Sequence, residues 1–138
     1  MTHSIHILLV EDNPGDVDLT MIALEHGGVP SRLHVAEDGA AALAYLEQGA
    51  DLPDLILLDL NLPKKSGHEV LAEIKRSPTL QHIPVIVLSS SASDADIHAS
   101  YALHANSYVT KPATLTQYLT AVEGIREFWT KAARLPRC

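Results

Sequence analysis

The sequence predicts an α/β domain in which a five-stranded parallel sheet is wound on both faces by helices. Two observations carry that expectation. Short strand-like runs alternate five times with segments of helical spacing or composition, the pattern of repeated βα units. Two of those runs, Leu55–Leu58 and Ile83–Leu88, are apolar at nearly every position. That suits strands buried on both faces rather than on one.

Ile5–Val10 opens the pattern and ends at Glu11-Asp12. Asn13-Pro14-Gly15 forms a turn, and Pro14 suits the start of a helix carrying Val17, Leu19, Met21, Ile22 and Leu24. Gly27-Gly28 should stop that helix. Ser31–Ala36 reads as the second strand, broken by Asp38-Gly39. Ala40–Gln48 reads as a helix closed by Gly49. The third strand spans Asp54–Asp59, and Asn61–Gly67 is a loop punctuated by Pro63 and Gly67. Val70, Leu71 and Ile74 mark a helix to about Arg76, stopped by Ser77-Pro78. The fourth strand, Ile83–Leu88, ends in Ser89-Ser90-Ser91. Ser93 or Asp94 can cap a helix to about His104. Ser107–Thr110 is a short fifth strand before Lys111-Pro112, and the last helix runs from about Thr114 to Arg134. Its apolar stripe is Leu115, Tyr118, Leu119, Val122, Ile125 and Trp129, expected to face the core. Phe128 lies off that stripe.

The chain has 138 residues, enough for one domain and one core. Its net charge of −7 argues against a nucleic-acid-binding surface. A single cysteine, Cys138, allows no internal disulfide framework, which fits a reducing compartment. No apolar run approaches the roughly 20 residues of a membrane span, and the N-terminus lacks signal-peptide character. A cytoplasmic location is expected. The eight histidines are scattered without ligand spacing, so no transition-metal site is expected.

Polar groups end four of the five strands or follow them at once: Glu11-Asp12, Asp59, Ser89 and Lys111. In a parallel sheet they converge on one edge, where ligands of open α/β sheets bind. Alone, Asp59 would read as a carboxylate capping a turn. Adjacent carboxylates call for a cation, and oxygen-only ligands favour Mg²⁺. A lysine and a hydroxyl beside them suit a transferred phosphoryl group, for which a carboxylate can be the nucleophile. Ser90 would replace Ser89 as the hydroxyl if the strand ended one residue later; spacing favours Ser89.

The motifs L-L-V-E-D at 8–12, L-I-L-L-D-L-N-L-P at 55–63, P-V-I-V-L-S at 84–89 and Y-V-T-K-P at 108–112 together resemble the receiver domains of two-component response regulators. Asp59 and Ser89 are 30 positions apart, and Ser89 and Lys111 are 22 apart, as in that family. The resemblance implies a flavodoxin-like fold with strand order 2-1-3-4-5 over 1–138, one receiver domain without an output domain. It implies Asp59 as phosphoacceptor and Asp12 and Asp59 as ligands of Mg²⁺ or Mn²⁺, with Glu11 acting through water. It implies the Asn61 backbone carbonyl as a further ligand, Ser89 as switch hydroxyl, Lys111 as phosphate partner, and a cis Lys111–Pro112 bond. Tyr108 corresponds to an inward-turning aromatic switch, or else is a partly exposed tyrosine at an interface.

D-N-P-G-D at 12–16, L-D-L-N-L-P-K-K-S-G at 58–67, E-V-L-A-E-I-K at 69–75, Y-A-L-H-A-N-S-Y at 101–108 and E-F-W at 127–129 resemble more narrowly the stand-alone response regulators of bacterial and cyanobacterial phytochromes. That implies a light-sensing histidine kinase, a bacteriophytochrome, as partner. The expected function is phosphorelay signalling without turnover of an external substrate. A homodimer is expected through the fourth helix, fifth strand and fifth helix, or through the aromatic end of the last helix. The rival is a phosphatase of the haloacid dehalogenase type, which generally wants a carboxylate two residues after the nucleophile. Asn61 stands there and cannot serve as a general acid. A receiver-like phosphate sink or interaction module is the remaining alternative.

Overall fold

A computed structural model describes residues 4–25 and 30–135. The helix stop expected at Gly27-Gly28 and Cys138 lie outside the described residues. The elements are β1 (Ile5–Val10), α1 (Pro14–Glu25), β2 (Ser31–Ala36), α2 (Gly39–Gln48), β3 (Leu55–Leu58), α3 (Gly67–Arg76), β4 (Val85–Ser89), α4 (Asp94–Ala102), β5 (Ser107–Thr110) and α5 (Leu115–Glu127). A π-helical turn, Phe128–Ala132, continues α5. The five strands form one parallel sheet in the order β2-β1-β3-β4-β5. This is the expected doubly wound architecture, flavodoxin-like in strand order, with boundaries moved by one or two residues at several ends.

The central strands explain their own sequences. Successive side chains in a strand point to opposite faces. Leu8 and Val10 of β1 enter one core with Ile56, Leu58, Val85 and Val87, covered by Leu43 and Leu46 of α2 and Val70, Leu71 and Ile74 of α3. Ile7 and Leu9 enter the opposite core with Leu55, Leu57, Ile86 and Leu88, covered by Ala23 and Leu24 of α1 and Tyr118 and Val122 of α5. Both faces are apolar, so the strands read as continuous runs. Each fully buried Leu or Ile contributes about 1.5–3 kcal/mol, and this burial locks the register that sets where each strand stops.

The buried faces of α1 and α5 are not simply their most apolar residues. In α1 the buried positions are Thr20, Ala23 and Leu24, while Met21 and Ile22 are each 42% exposed. The spacing 20, 23, 24 is one helical face, and Met21 and Ile22 fall off it. In α5, Tyr118 and Val122 are buried as expected, but Leu115 in the first turn is 56% exposed. Arg126 takes a buried place instead, and its Nη1 donates to the Leu24 carbonyl at 3.2 Å. A guanidinium suits the carbonyl end of α1, where the helix dipole is negative. No peptide bond among the described residues is cis, so the expected cis Lys111–Pro112 bond is not found. An X–Pro bond prefers trans by only about 0.5–1 kcal/mol, and Lys111 reaches the sheet edge with a trans bond. Among the described residues no helix is long and apolar enough to cross a membrane.

His6 is a buried polar residue within β1. Its Nδ1 lies 3.3 Å from the Leu52 carbonyl and its Nε2 3.2 Å from the Tyr45 hydroxyl. Burial and the Arg32 charge hold its pKa below the usual 6.5, against the opposing pull of Asp51. The folded protein therefore binds fewer protons at His6 than the unfolded chain does just below pH 6.5. The stability that neutral His6 contributes is complete above that pH and is lost as pH falls through the lowered folded pKa. Denaturant unfolding should show the wild type losing more stability than His6→Gln between pH 7 and pH 5. Parallel pH profiles for the two proteins would contradict this.

Candidate functional site

The site lies on the C-terminal edge of the sheet, where β1, β3, β4 and β5 stop together. The Glu11 N–H donates to the Ala36 carbonyl at 3.0 Å, and the Asp59 N–H to the Val10 carbonyl at 3.0 Å. Each acidic residue thus prolongs the sheet hydrogen bonding by one step before its chain leaves the sheet. The Lys111 N–H donates to the Ser89 carbonyl at 2.7 Å, which ties the chain after β5 to the end of β4. One oxygen from each of Glu11, Asp12 and Asp59 lies within 4.8 Å of the others. Glu11 and Asp59 are buried, and Asp12 is exposed.

Lys111 crosses this edge. Its Nζ donates to Glu11 Oε1 at 2.6 Å, Asp16 Oδ2 at 2.8 Å and Asp59 Oδ2 at 3.2 Å. Burial disfavours the ammonium, but the hydrogen bonds to Asp16 and Glu11 and the charge of Asp59 outweigh it and hold the Lys111 pKa above the usual lysine range. Glu11 is pushed the other way. Burial, reinforced by the neighbouring Asp59, raises its carboxyl to about 7 even though Lys111 pulls it down. A set of oxygen donors with this much mutual repulsion fits a hard divalent cation. Glu11, Asp12 and Asp59 are the side chains that could hold one.

The hydroxyls sit beside the acids on the next strand. β4 ends at Ser89, one residue past the expected Leu88. Ser89 is fully buried and its Oγ accepts the Ser91 N–H at 3.3 Å, while Ser90 is exposed. Tyr108, half-buried on β5, donates its hydroxyl to the Ser91 carbonyl at 2.7 Å and packs against the core. It therefore lies over the β4–α4 loop. The Asn61 N–H approaches Asp59 Oδ1 at 3.4 Å, and its side chain is exposed.

Asp16 was not singled out by sequence reasoning. It lies 95 positions before Lys111 and reaches it from the first turn of α1. The signal available was D-N-P-G-D at 12–16, which puts a carboxylate one helical turn past Asp12 on the helix leaving the sheet edge.

Gly67 positions the Asp59 loop from below. Its N–H donates to the Leu60 carbonyl at 2.9 Å. A Cβ built there would stand 2.3 Å from the Asp59 carbonyl oxygen and 2.6 Å from Leu60 Cα. Both are backbone atoms, so no side-chain adjustment relieves the clash.

A family model described as the response regulator receiver domain matches residues 7–123. The response regulator Rcp1 of Synechocystis is 47% identical over 135 residues, covering 94% of this chain and 92% of Rcp1. A probable methanogenesis regulatory protein, FilR2 of Methanothrix harundinacea, is 47% identical over 134 residues, covering 94% of this chain and 86% of FilR2. Among solved structures, the phosphorylated cyanobacterial phytochrome response regulator RcpA superposes with a TM-score of 0.94 at 52% identity, over 98% of this chain and 100% of RcpA. The Mn²⁺-bound form of Rcp1 superposes with a TM-score of 0.92 at 46% identity, over 96% and 99% of the two chains.

Gly67→Ala should lower unfolding stability by about 1–3 kcal/mol, the usual penalty of overpacking. Because the displaced atoms belong to Asp59 and Leu60, it should also weaken Mn²⁺ binding measured by titration. Unchanged stability and affinity would show that the loop has room the structure does not contain.

Proposed function

The chain belongs to the response regulator receiver domain family, and on that premise we propose that Asp59 takes a phosphoryl group from the phosphohistidine of a sensor kinase. The protein is a response regulator of phosphorylation-based two-component signalling, closely related to the phytochrome response regulators Rcp1 and RcpA. The observation that carries the residue assignment is the Lys111 ammonium, 3.2 Å from an Asp59 carboxylate that is itself one of three converging acids.

The chemistry follows from that geometry. An Asp59 Oδ attacks phosphorus, the new O–P bond forms, and the histidine N–P bond breaks with its electron pair returning to the imidazole ring. No external base is needed, because a carboxylate nucleophile has no proton to give up as it attacks. Lys111 meets the negative charge of the phosphoryl oxygens, and phosphoryl transfer is catalysed mostly by such positioning and neutralisation. A divalent cation, Mg²⁺ or Mn²⁺, would be held by Asp12 and Asp59, by the Asn61 backbone carbonyl, and by Glu11 through water; when bound it supplies further neutralising charge. Ser89 is the hydroxyl that reads the phosphoryl group, and Tyr108 carries the change to the β4–α4 loop through its hydrogen bond to the Ser91 carbonyl. The chain turns over no external phosphoester.

The kinase is a bacteriophytochrome in this reading, and the exchange takes place in the cytoplasm. Support comes from the high identity to RcpA, a cyanobacterial phytochrome response regulator. We also propose a homodimer. Phe128 is 53% exposed and stacks edge-on against Trp129 at 5.3 Å. Together with Val109, Ala121 and Ile125 they line a groove of about 490 Å³ between β5 and α5. An apolar groove of this kind is a candidate for coverage by a second copy.

Acetyl phosphate with Mg²⁺ should add one hydroxylamine-labile phosphate to the wild type and none to Asp59→Asn, read by intact mass. Equal labelling of both, or multiple turnover of a small phosphoester, would overturn the assignment. In sedimentation velocity the wild type should shift from monomer to dimer with concentration, and Phe128→Glu should lower the dimer fraction at least about tenfold. A concentration-independent monomer mass would remove the dimer.

A further inference from the structure

This inference rests on the reading of Asp59 as the phosphoacceptor. An ammonium carries three donor hydrogens. At Lys111 all three have partners, in Glu11, Asp16 and Asp59. A phosphoryl group on Asp59 brings new acceptor oxygens to the same nitrogen, so one present partner must give way. Glu11 and Asp59 belong to the three converging acids, and Asp16 does not. Asp16 is also the easiest of the three to return to water. Its side chain is 24% exposed, against 2% for Glu11 and 8% for Asp59. A groove of about 610 Å³, lined by Asp16, Ser90, Lys111, Pro112 and Thr114, opens beside the pair and gives the carboxylate solvent to turn into.

We propose that Asp16 is a positioning residue that parks one donor of Lys111 in the resting state, and that its release hands this donor to the phosphoryl group. The anchor is firm on the backbone side. The Asp16 N–H donates to Asn13 Oδ1 at 3.1 Å, the cap of α1. The Asp16 carbonyl accepts from Thr20 Oγ1 at 2.8 Å, and that hydroxyl meets the Tyr118 hydroxyl of α5 at 3.2 Å. Thr20 and Tyr118 are buried. The α1–α5 packing therefore holds the backbone of Asp16, while its carboxylate keeps the freedom to turn. Asp16 forms and breaks no covalent bond. It acts through Lys111, by competing for the charge that the transfer needs.

The measurement is the initial rate of phosphorylation by acetyl phosphate at saturating Mg²⁺, followed by intact mass. The Asp59–O–P bond forms as the acetyl O–P bond breaks and acetate leaves. Asp16→Asn should raise the rate about twofold to fivefold, the range expected for a partly exposed ion pair. Asp16→Glu should return it close to the wild-type value. In a Lys111→Met background, Asp16→Asn should change nothing, because the competition no longer exists. Asp16→Ser repeats the test should Asp16→Asn fail to fold. An unchanged or lower rate in the neutral variants overturns the inference alone, as does a gain that persists in Lys111→Met. A wild type that takes no phosphate overturns the acceptor reading and this inference together.

Discussion

One lysine holds together a site that its own charges would push apart. Glu11, Asp16 and Asp59 come from the ends of β1 and β3 and the start of α1, and the oxygens of all three accept hydrogen bonds from the Lys111 ammonium. Two like charges 4 Å apart repel by about 4 kcal/mol at an effective dielectric of 20. Glu11 shows the strain directly, with a carboxyl raised to about 7 by burial and by Asp59. The ammonium offsets part of that repulsion and stays charged because of it. The arrangement offers converging oxygens that fit a cation and one ammonium that fits a phosphoryl group.

The fold earns its place by making the four strand ends arrive together. Apolar side chains on both faces of β1, β3 and β4 fix each strand in depth, so each acid or hydroxyl emerges at a set height. The loops then need short reach and close packing. Gly67 lies against the Asp59 peptide with no room for a side chain, and Ser66 and Glu69 close the start of α3 with reciprocal hydrogen bonds. The same economy links the site to the surface. Tyr108 leaves β5 and grips the β4–α4 loop, one residue pair away from the buried Ser89 hydroxyl.

What could be read in the sequence was what depends on strand runs. Asp59, Ser89 and Lys111 follow apolar or β-rich segments, and a parallel sheet carries such ends to one edge whatever the intervening helices do. Asp12 and Glu11 were legible for the same reason. Asp16 was not, because its contact depends on how far the first turn of α1 rises over the sheet and on a partner 95 positions away. Leu115 misled because apolarity was taken as burial, whereas the packed faces of α1 and α5 use Thr20 and Arg126, whose hydroxyl and Nη1 find partners inside. The Lys111–Pro112 bond was carried over from the family, and residue identity alone does not choose between two isomers so close in energy.

The central claim is that the carboxylate of Asp59, and no other, becomes an acyl phosphate. Borohydride reduces an aspartyl phosphate to homoserine, which peptide mass spectrometry locates. After treatment with a phosphodonor and Mg²⁺, homoserine should be found at position 59 and nowhere else. Homoserine at Asp12, or none at all in a protein that has gained phosphate, would contradict the account.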